Sequence, residues 1–281
     1  MLESCSRIRE GIVMTPALPS STDRTSRTIS TPLRPRRRGI VIGASSGIGA
    51  ALARRLAREG YVLGLIARRD ELLTALATDI NSAAGEPLAY PYAHDVRVFH
   101  EVPELLRRII ADIGGLDLAA YVAGANLPPG PNRFDFSADR AMMEVNLLGA
   151  MAWLDPVASL FLSAHAGQIV GISSVAADRG RVGNPGYNAS KSGLTTYLEA
   201  LRNRLARHGV HVLTVKPGFV KTEQLKAALK VLFPISADAA ADQIWRAMRG
   251  RKQLIYTPAW WRLVMFGVRN IPSVLFRRMS F

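Results

Sequence analysis

Tyr187 and Lys191 stand four residues apart, a spacing that places both on one face of a helix and sets an ammonium near a phenol. A nearby cation favours the phenolate, and a phenol that titrates near ~10 in water would thereby move toward useful acid–base work. The pair alone is unspecific, because a solvated helix face produces it too. Its company narrows the chemistry: Ser173 and Ser174 lie upstream, and Gly43-Ala44-Ser45-Ser46-Gly47-Ile48-Gly49 lies far upstream.

That glycine-rich stretch follows the apolar run Ile40-Val41-Ile42 and opens the amphipathic segment 48–59, a strand-to-helix context that gives the spacing its weight. A helix N-terminus offers free N–H groups and a partial positive charge to a pyrophosphate, and glycines let the backbone pass close to it. A tight structural turn is the plainer alternative. After the next apolar run, a dinucleotide fold often carries an acid for the ribose hydroxyls, but this chain reads Ala67-Arg68-Arg69-Asp70. Two guanidiniums attract a 2′-phosphate, so Arg68 and Arg69 favour NADP(H) over NAD(H).

The elements that must position these residues follow βαβ syntax, short apolar runs alternating with longer amphipathic ones. Strands are expected at 40–42, 61–67, 87–93, 116–122, 168–172, 210–215 and 253–256, and helices at 48–59, 69–84, 102–113, 138–163 and 188–207. Strands apolar on both faces suit a parallel sheet covered by helices on each side. No apolar run approaches the ~18 residues of a membrane span.

The chain has 281 residues, ample for one large domain over 39–256. Residues 1–38 carry eight arginines against three acids among Ser, Thr and Pro, and are expected to be a disordered basic tail or the product of a misplaced start. Cys5 is the single cysteine, so no internal disulfide and no thiolate metal cluster is expected, which suits a reducing, cytoplasmic setting. The net charge of +14 raises nucleic acid and anionic membranes as partners. No zinc-finger, helix-turn-helix or RNP pattern supports the first. In the extension 257–281, Trp260, Trp261, Leu263, Val264, Phe266, Ile271, Val274, Leu275 and Phe276 alternate with arginines and no acid. Such a segment suits one or two short interfacial helices broken near Pro272, or an interface on its own domain or in a homo-oligomer.

Gly43 to Gly49, Asp95-Val96, Asn146, Ser174, Tyr187 with Lys191, and Pro217-Gly218 leading through Val220 to Thr222 occur in the order seen in short-chain dehydrogenases and reductases, which the chain resembles over 39–256. Ser174 lies thirteen residues before Tyr187, the family's spacing. The resemblance implies a Rossmann-type, doubly wound α/β fold with a parallel sheet of about seven strands. It implies that Tyr187 protonates a developing alkoxide and that Ser174 bonds the same oxygen. Lys191 would bond the nicotinamide ribose and lower the Tyr187 pKa, Asn146 would hold a water leading to Lys191, Asp95 would meet the adenine amine, and Thr222 the carboxamide or phosphate. Two departures stand out: Ile42 replaces a common Thr, and of the usual Asn-Asn-Ala-Gly only Ala123-Gly124 survives in Tyr121-Val122-Ala123-Gly124.

A narrower similarity runs through 171–181, Leu201-Arg-Asn-Arg-Leu, 209–220, 255–262 and Arg269-Asn-Ile-Pro272. These stretches are similar to a bacterial branch related to the reductase half of decaprenylphosphoryl-ribose 2-epimerase. That similarity implies a 2-keto sugar on a polyprenyl phosphate as substrate and a flavin-dependent oxidase as partner, at the inner membrane face. Reduction of a 3-oxoacyl thioester or another small ketone remains an alternative, as does a catalytically silent NADP-binding scaffold.

Overall fold

A computed structural model describes residues 37–129, 133–221 and 234–279. The expected tail, up to residue 36, and Thr222 lie outside the described residues.

In chain order the strands are β1 (Arg37–Ile42), β2 (Tyr61–Ala67), β3 (Ala89–Ala93), β4 (Leu118–Tyr121), β5 (Gln168–Ile172), β6 (His211–Pro217), β7 (Val220–Lys221), β8 (Ile235–Ser236) and β9 (Leu254–Thr257). The helices are α1 (Gly47–Arg58), α2 (Asp70–Ala84), α3 (Val102–Ile113), α4 (Phe136–Met143), α5 (Gly149–Ala164), α6 (Pro185–Leu205), α7 (Ala237–Arg249), α8 (Trp261–Asn270) and α9 (Ser273–Phe276). Seven strands form one sheet in the order β3-β2-β1-β4-β5-β6-β9, and every pairing is parallel. The fold is thus the expected α/β type. β1 begins at Arg37, two residues before the expected domain start, because Arg37 and Arg38 pair with Tyr61 and Val62 and the Arg38 N–H donates to Asp117 at 2.8 Å.

The chain leaves β1 toward β2 and β3, then returns to β4 on the other side of β1. Between two such strands the loops diverge and leave a crevice at the carboxyl ends. Buried side chains on both sheet faces, Val41, Ile42, Leu63, Leu65 and Ile66 among them, make that platform rigid. α6 sits close on β5 because position 171 is glycine, where a Cβ would overlap the Leu198 side chain. That closeness delivers Tyr187 and Lys191 to the end of β5.

The helix expected over 138–163 forms as α4, a π turn at Glu144–Leu148, and α5. Contrary to the sequence expectation, this run is long and apolar enough to cross a bilayer by length and composition. Its Trp153, Leu154, Val157 and Phe161 are buried in the domain core, so it is a core helix. α7 was not anticipated, although its buried residues from Ala240 to Met248 recur at helical spacing. Ser236 caps it by accepting from the Ala239 N–H at 3.1 Å, and its buried Ile244 and Trp245 belong to the main core, with the helix packed on α1.

The extension beyond β9 forms two helices separated at Pro272, as expected. Its aromatic residues divide differently from the expectation. Trp261 and Met265 turn inward and join Val175 and Tyr256 in a second small core, whereas Leu263 and Phe266 remain 77% and 63% exposed. Beneath that core lies a buried ion pair. Asp178 accepts from the Lys216 ammonium and, at 2.8 Å, from the Tyr256 hydroxyl, tying the loop after β5 to β6 and β9.

Removing one partner of a buried pair strands the other charge away from water, whereas replacing both is far less costly. Lys216→Met is therefore expected to lower the unfolding free energy by about 3–5 kcal/mol. Lys216→Met combined with Asp178→Leu should recover a large part of that loss in urea unfolding; an equal loss in both variants would rule out the carboxylate as the cause.

Candidate active site

The crevice at the ends of β1 and β4 begins with the glycine turn. Gly43 has φ +95° and a Cβ there would overlap the Ala123 backbone, while a Cβ on Gly49 would overlap the Gly43 carbonyl. The turn therefore needs glycine for both conformation and space. Ser46 is the N-cap residue of α1, yet its side chain accepts no helix N–H, leaving the first-turn donors aimed into the crevice. Its hydroxyl accepts instead from Arg69 Nη2 at 2.7 Å, and Ser45 from the same nitrogen at 3.1 Å. Gly47 and Ile48 open the helix beside them.

Arg68 and Arg69 thus flank the turn with positive charge. Asp95, at the end of β3, lies 4.0 Å from Arg68 and is gripped by Arg97 through Nε at 3.1 Å and Nη2 at 2.7 Å. These bonds hold the Asp95 carboxyl below its ordinary pKa against the opposing effect of burial. Arg97 was missed in the sequence, although it stands two residues beyond Asp95. Val96 is buried behind it. Phosphate-binding donors, glycines without room for a Cβ and two exposed cations at the carboxyl edge fit a dinucleotide bearing an additional phosphate.

At the end of β4, the N–H groups of Val122 and Ala123 donate to the Ile42 carbonyl at 2.8 and 2.9 Å, so this loop stays close to the glycine turn despite its unusual sequence. Gly124 marks the convergence of the site: a Cβ there would stand 3.3 Å from both Asn146 Oδ1 and Lys191 Nζ. Asn146 lies in the π turn and is fully buried. It accepts from the Ala125 N–H at 2.8 Å and donates to the Ala125 carbonyl and the Ser190 hydroxyl, each at 2.9 Å. Tyr121, where the family often has asparagine, donates its hydroxyl to the Val145 carbonyl in the same turn at 2.5 Å. The widened turn is thereby clamped from two sides.

Ser174 lies two residues past β5 and caps the short turn Val175–Ala177, accepting from the Ala176 N–H at 3.1 Å. Asn184 caps α6 by accepting from the Tyr187 N–H at 3.1 Å, which sets the phenol at the first turn facing Ser174. Burial pushes the Tyr187 phenol up, while the bond with Ser174 and the Arg181 charge pull it down. The expectation that Lys191 lowers this phenol is corrected here. Lys191 Nζ is 6.0 Å from the ring centroid and is spent on the Ile172 carbonyl at 2.9 Å, so desolvation prevails over attraction. Arg181 is the cation that acts on the phenol; it entered the sequence reading only within a resembling stretch.

Pro217 ends β6, and Gly218 and Val220 follow it on the far side of the crevice. The Gly218 N–H donates to the Thr257 carbonyl at 3.0 Å, and a Cβ at 218 would overlap the Trp261 indole. The extension thus touches the same loop that is expected to border the cofactor.

Burial pushes the Lys191 ammonium down to about 8 from 10.5. Below that folded value the lysine is charged in both folded and unfolded chains, and the folded state bears the whole desolvation cost. The cost fades as pH rises through the window between the two values. Lys191→Met is therefore expected to exceed the parent in stability at about pH 7 by on the order of 3 kcal/mol. Parallel urea titrations should show the difference closing from pH 8 toward 10.5; a pH-independent difference would point to packing instead.

The short chain dehydrogenase family model matches residues 38–230. An uncharacterized oxidoreductase of Myxococcus xanthus is 38% identical over 187 residues, covering 66% of this chain and 73% of its own length. The 3-oxoacyl-[acyl-carrier-protein] reductase of Homo sapiens is 33% identical over 186 residues, covering 66% of this chain and 76% of that protein. Among solved structures, a single-residue variant of the actinorhodin polyketide ketoreductase with NADPH is similar with a TM-score of 0.72 and 25% identity, covering 80% of this chain and 97% of that one.

Proposed function

The chain belongs to the short chain dehydrogenase family, and from that premise we propose that it reduces a ketone to a secondary alcohol with NADPH. The observation that carries this reading is the convergence of four side chains: the Tyr187 phenol is set on the first turn of α6 against the Ser174 hydroxyl, with Lys191 and Asn146 meeting at Gly124. A phenol holds its proton at neutral pH, and the Ser174 bond and the Arg181 charge favour its release to a developing alkoxide.

NADPH, when bound, supplies the hydride. Its pyrophosphate would rest on the α1 N-terminus at Gly43 to Gly49, and its 2′-phosphate between Arg68, Arg69 and the hydroxyls of Ser45 and Ser46. Asp95 and Val96 would border the adenine. Ala123, Gly124, Pro217, Gly218 and Val220 would line the nicotinamide side, and Thr222 would complete it. The NADPH-bound ketoreductase of similar fold supports this choice. Tyr187 gives its proton to the ketone oxygen, Ser174 bonds that oxygen, and both favour the alkoxide as it forms. Lys191 would bond the ribose of the bound cofactor, while Asn146 holds the π turn and Gly124 in register behind it.

The substrate we favour is a 2-keto sugar on a polyprenyl phosphate, supplied by a flavin-dependent oxidase. The exposed Leu263 and Phe266 of α8, together with a cleft of about 1400 Å³ beside them bordered by Arg246, Lys252, Arg262 and Arg269, suit an anionic lipid surface. A second reading, reduction of a 3-oxoacyl thioester, draws on the human reductase relative.

Tyr187→Phe should lower NADPH-dependent ketone turnover by about 10²–10⁴-fold, the usual contribution of general acid catalysis, with NADPH binding retained by fluorescence titration. Unchanged turnover would remove the phenol from the mechanism, and NADPH binding without turnover of any carbonyl would support a scaffold role. For the lipid surface, flotation with anionic liposomes should carry the full-length parent upward and lose a Leu263→Asp/Phe266→Asp variant. Truncation is a poorer test, since it strips Trp261 and Met265 from the second core. Equal flotation of both proteins would sink the membrane assignment.

A further inference from the structure

The loop between Ser174 and Tyr187 carries three charged side chains within four residues, Asp178, Arg179 and Arg181. Two of them are committed inside the protein. Asp178 is held by Lys216 and Tyr256. Arg179 donates through Nη1 to the carbonyls of Val268 and Ile271, each at 2.6 Å, and stacks 3.8 Å over the Phe276 ring, so it anchors the extension.

Arg181 differs from both. It makes no ion pair among the described residues, and its buried Nε has no hydrogen-bond partner. Among the described residues, the one titratable group felt by its guanidinium is the Tyr187 phenol. Its backbone is fixed, because its carbonyl accepts from Asn188 Nδ2 at 3.1 Å on the first turn of α6. Gly180 and Gly183 on either side face open space. A guanidinium is charged at every working pH and presents a planar fork of five donors. A buried donor left without an acceptor costs free energy that an oxyanion would restore through charge-assisted bonds.

We propose that Arg181 anchors the substrate of this active site by binding an oxyanion substituent, a phosphate or a carboxylate, on a ketone whose carbonyl oxygen meets Tyr187 and Ser174. The inference rests on the ketone-reduction reading and narrows its substrates to anionic ketones. The loop uses Asp178 and Arg179 to hold its frame and leaves Arg181 for the ligand. Arg181 also pulls the phenol down, so its loss touches every ketone to some degree. The anchoring role is what separates charged from neutral substrates.

The test uses the full-length protein with NADPH and two matched pairs, dihydroxyacetone phosphate against dihydroxyacetone and levulinate against its methyl ester. The parent should prefer the anionic member of at least one pair, and which pair shows the preference tells phosphate from carboxylate. Arg181→Met should erase that preference by raising KM, with kcat/KM falling about 10–100-fold more on the anionic member than on the neutral one, the range of one or two charge-assisted bonds. Arg181→Lys should restore part of it. Turnover without a charge preference, or equal losses on both members, would overturn the inference while leaving ketone reduction intact. If the parent turns over no ketone, thermal melting of the NADP⁺-saturated protein decides the matter. Stabilisation by levulinate or dihydroxyacetone phosphate but not by its neutral counterpart, absent in Arg181→Met, keeps the anion site and defeats the reductase reading; no stabilisation by either anion defeats the site.

Discussion

An ammonium buried under protein is costly to fold around, and Lys191 imposes that condition on everything near it. One carbonyl, Ile172 O, accepts from it at 2.9 Å. The surrounding parts arrange themselves so that this acceptor stays in place: β5 ends there, α6 is pressed onto β5 by Gly171, and the π turn brings Asn146 up behind Gly124. Each of these features alone is a local irregularity. Together they keep a cation within a site where a desolvated charge acts at full strength. The protein tolerates lower stability at this point in return for a group already in position.

The loop from β5 to α6 shows the same division between frame and chemistry. Its first residues cap a turn and present Ser174, and its last cap α6 and present Tyr187. Between them, Asp178 and Arg179 fasten it to β6, β9 and the terminal helices. Loops that carry function are commonly less well held than the elements they join. Here the buried ion pair and the stacked arginine supply the rigidity that a regular element would have provided, so both ends of the loop approach one point with little freedom.

Much of this arrangement was legible in the sequence because it rests on local patterns. Apolar runs marked all seven sheet strands within three residues, and the glycine spacing marked the crevice. The π turn was invisible, since a helix with one widened turn keeps nearly the same apolar period. α7 was missed although its signals were present: Ile244, Trp245 and Met248 recur at helical spacing, and Ser236 was an available cap. For the extension, amphipathicity foretold one or two short helices broken near Pro272, yet it could not say which aromatic faced inward. Trp260 and Trp261 are adjacent and chemically equal, and their fates part because Gly218 offers room to only one of them. The direction of the Tyr187 shift failed for a related reason: spacing along a helix reveals a neighbour, whereas desolvation depends on everything folded above. Arg181 is the sharpest case, because three charges in one loop look alike until their partners are known.

The contact between Gly218 and Trp261 joins a residue beside the catalytic crevice to one in the terminal extension, and it leaves no space between them. A side chain introduced at 218 would have to push the indole out of the second core, and with it the packing of Val175, Tyr256 and Met265. The loop that borders the crevice and the helices that end the described chain are therefore fitted to each other through the absence of one methyl group.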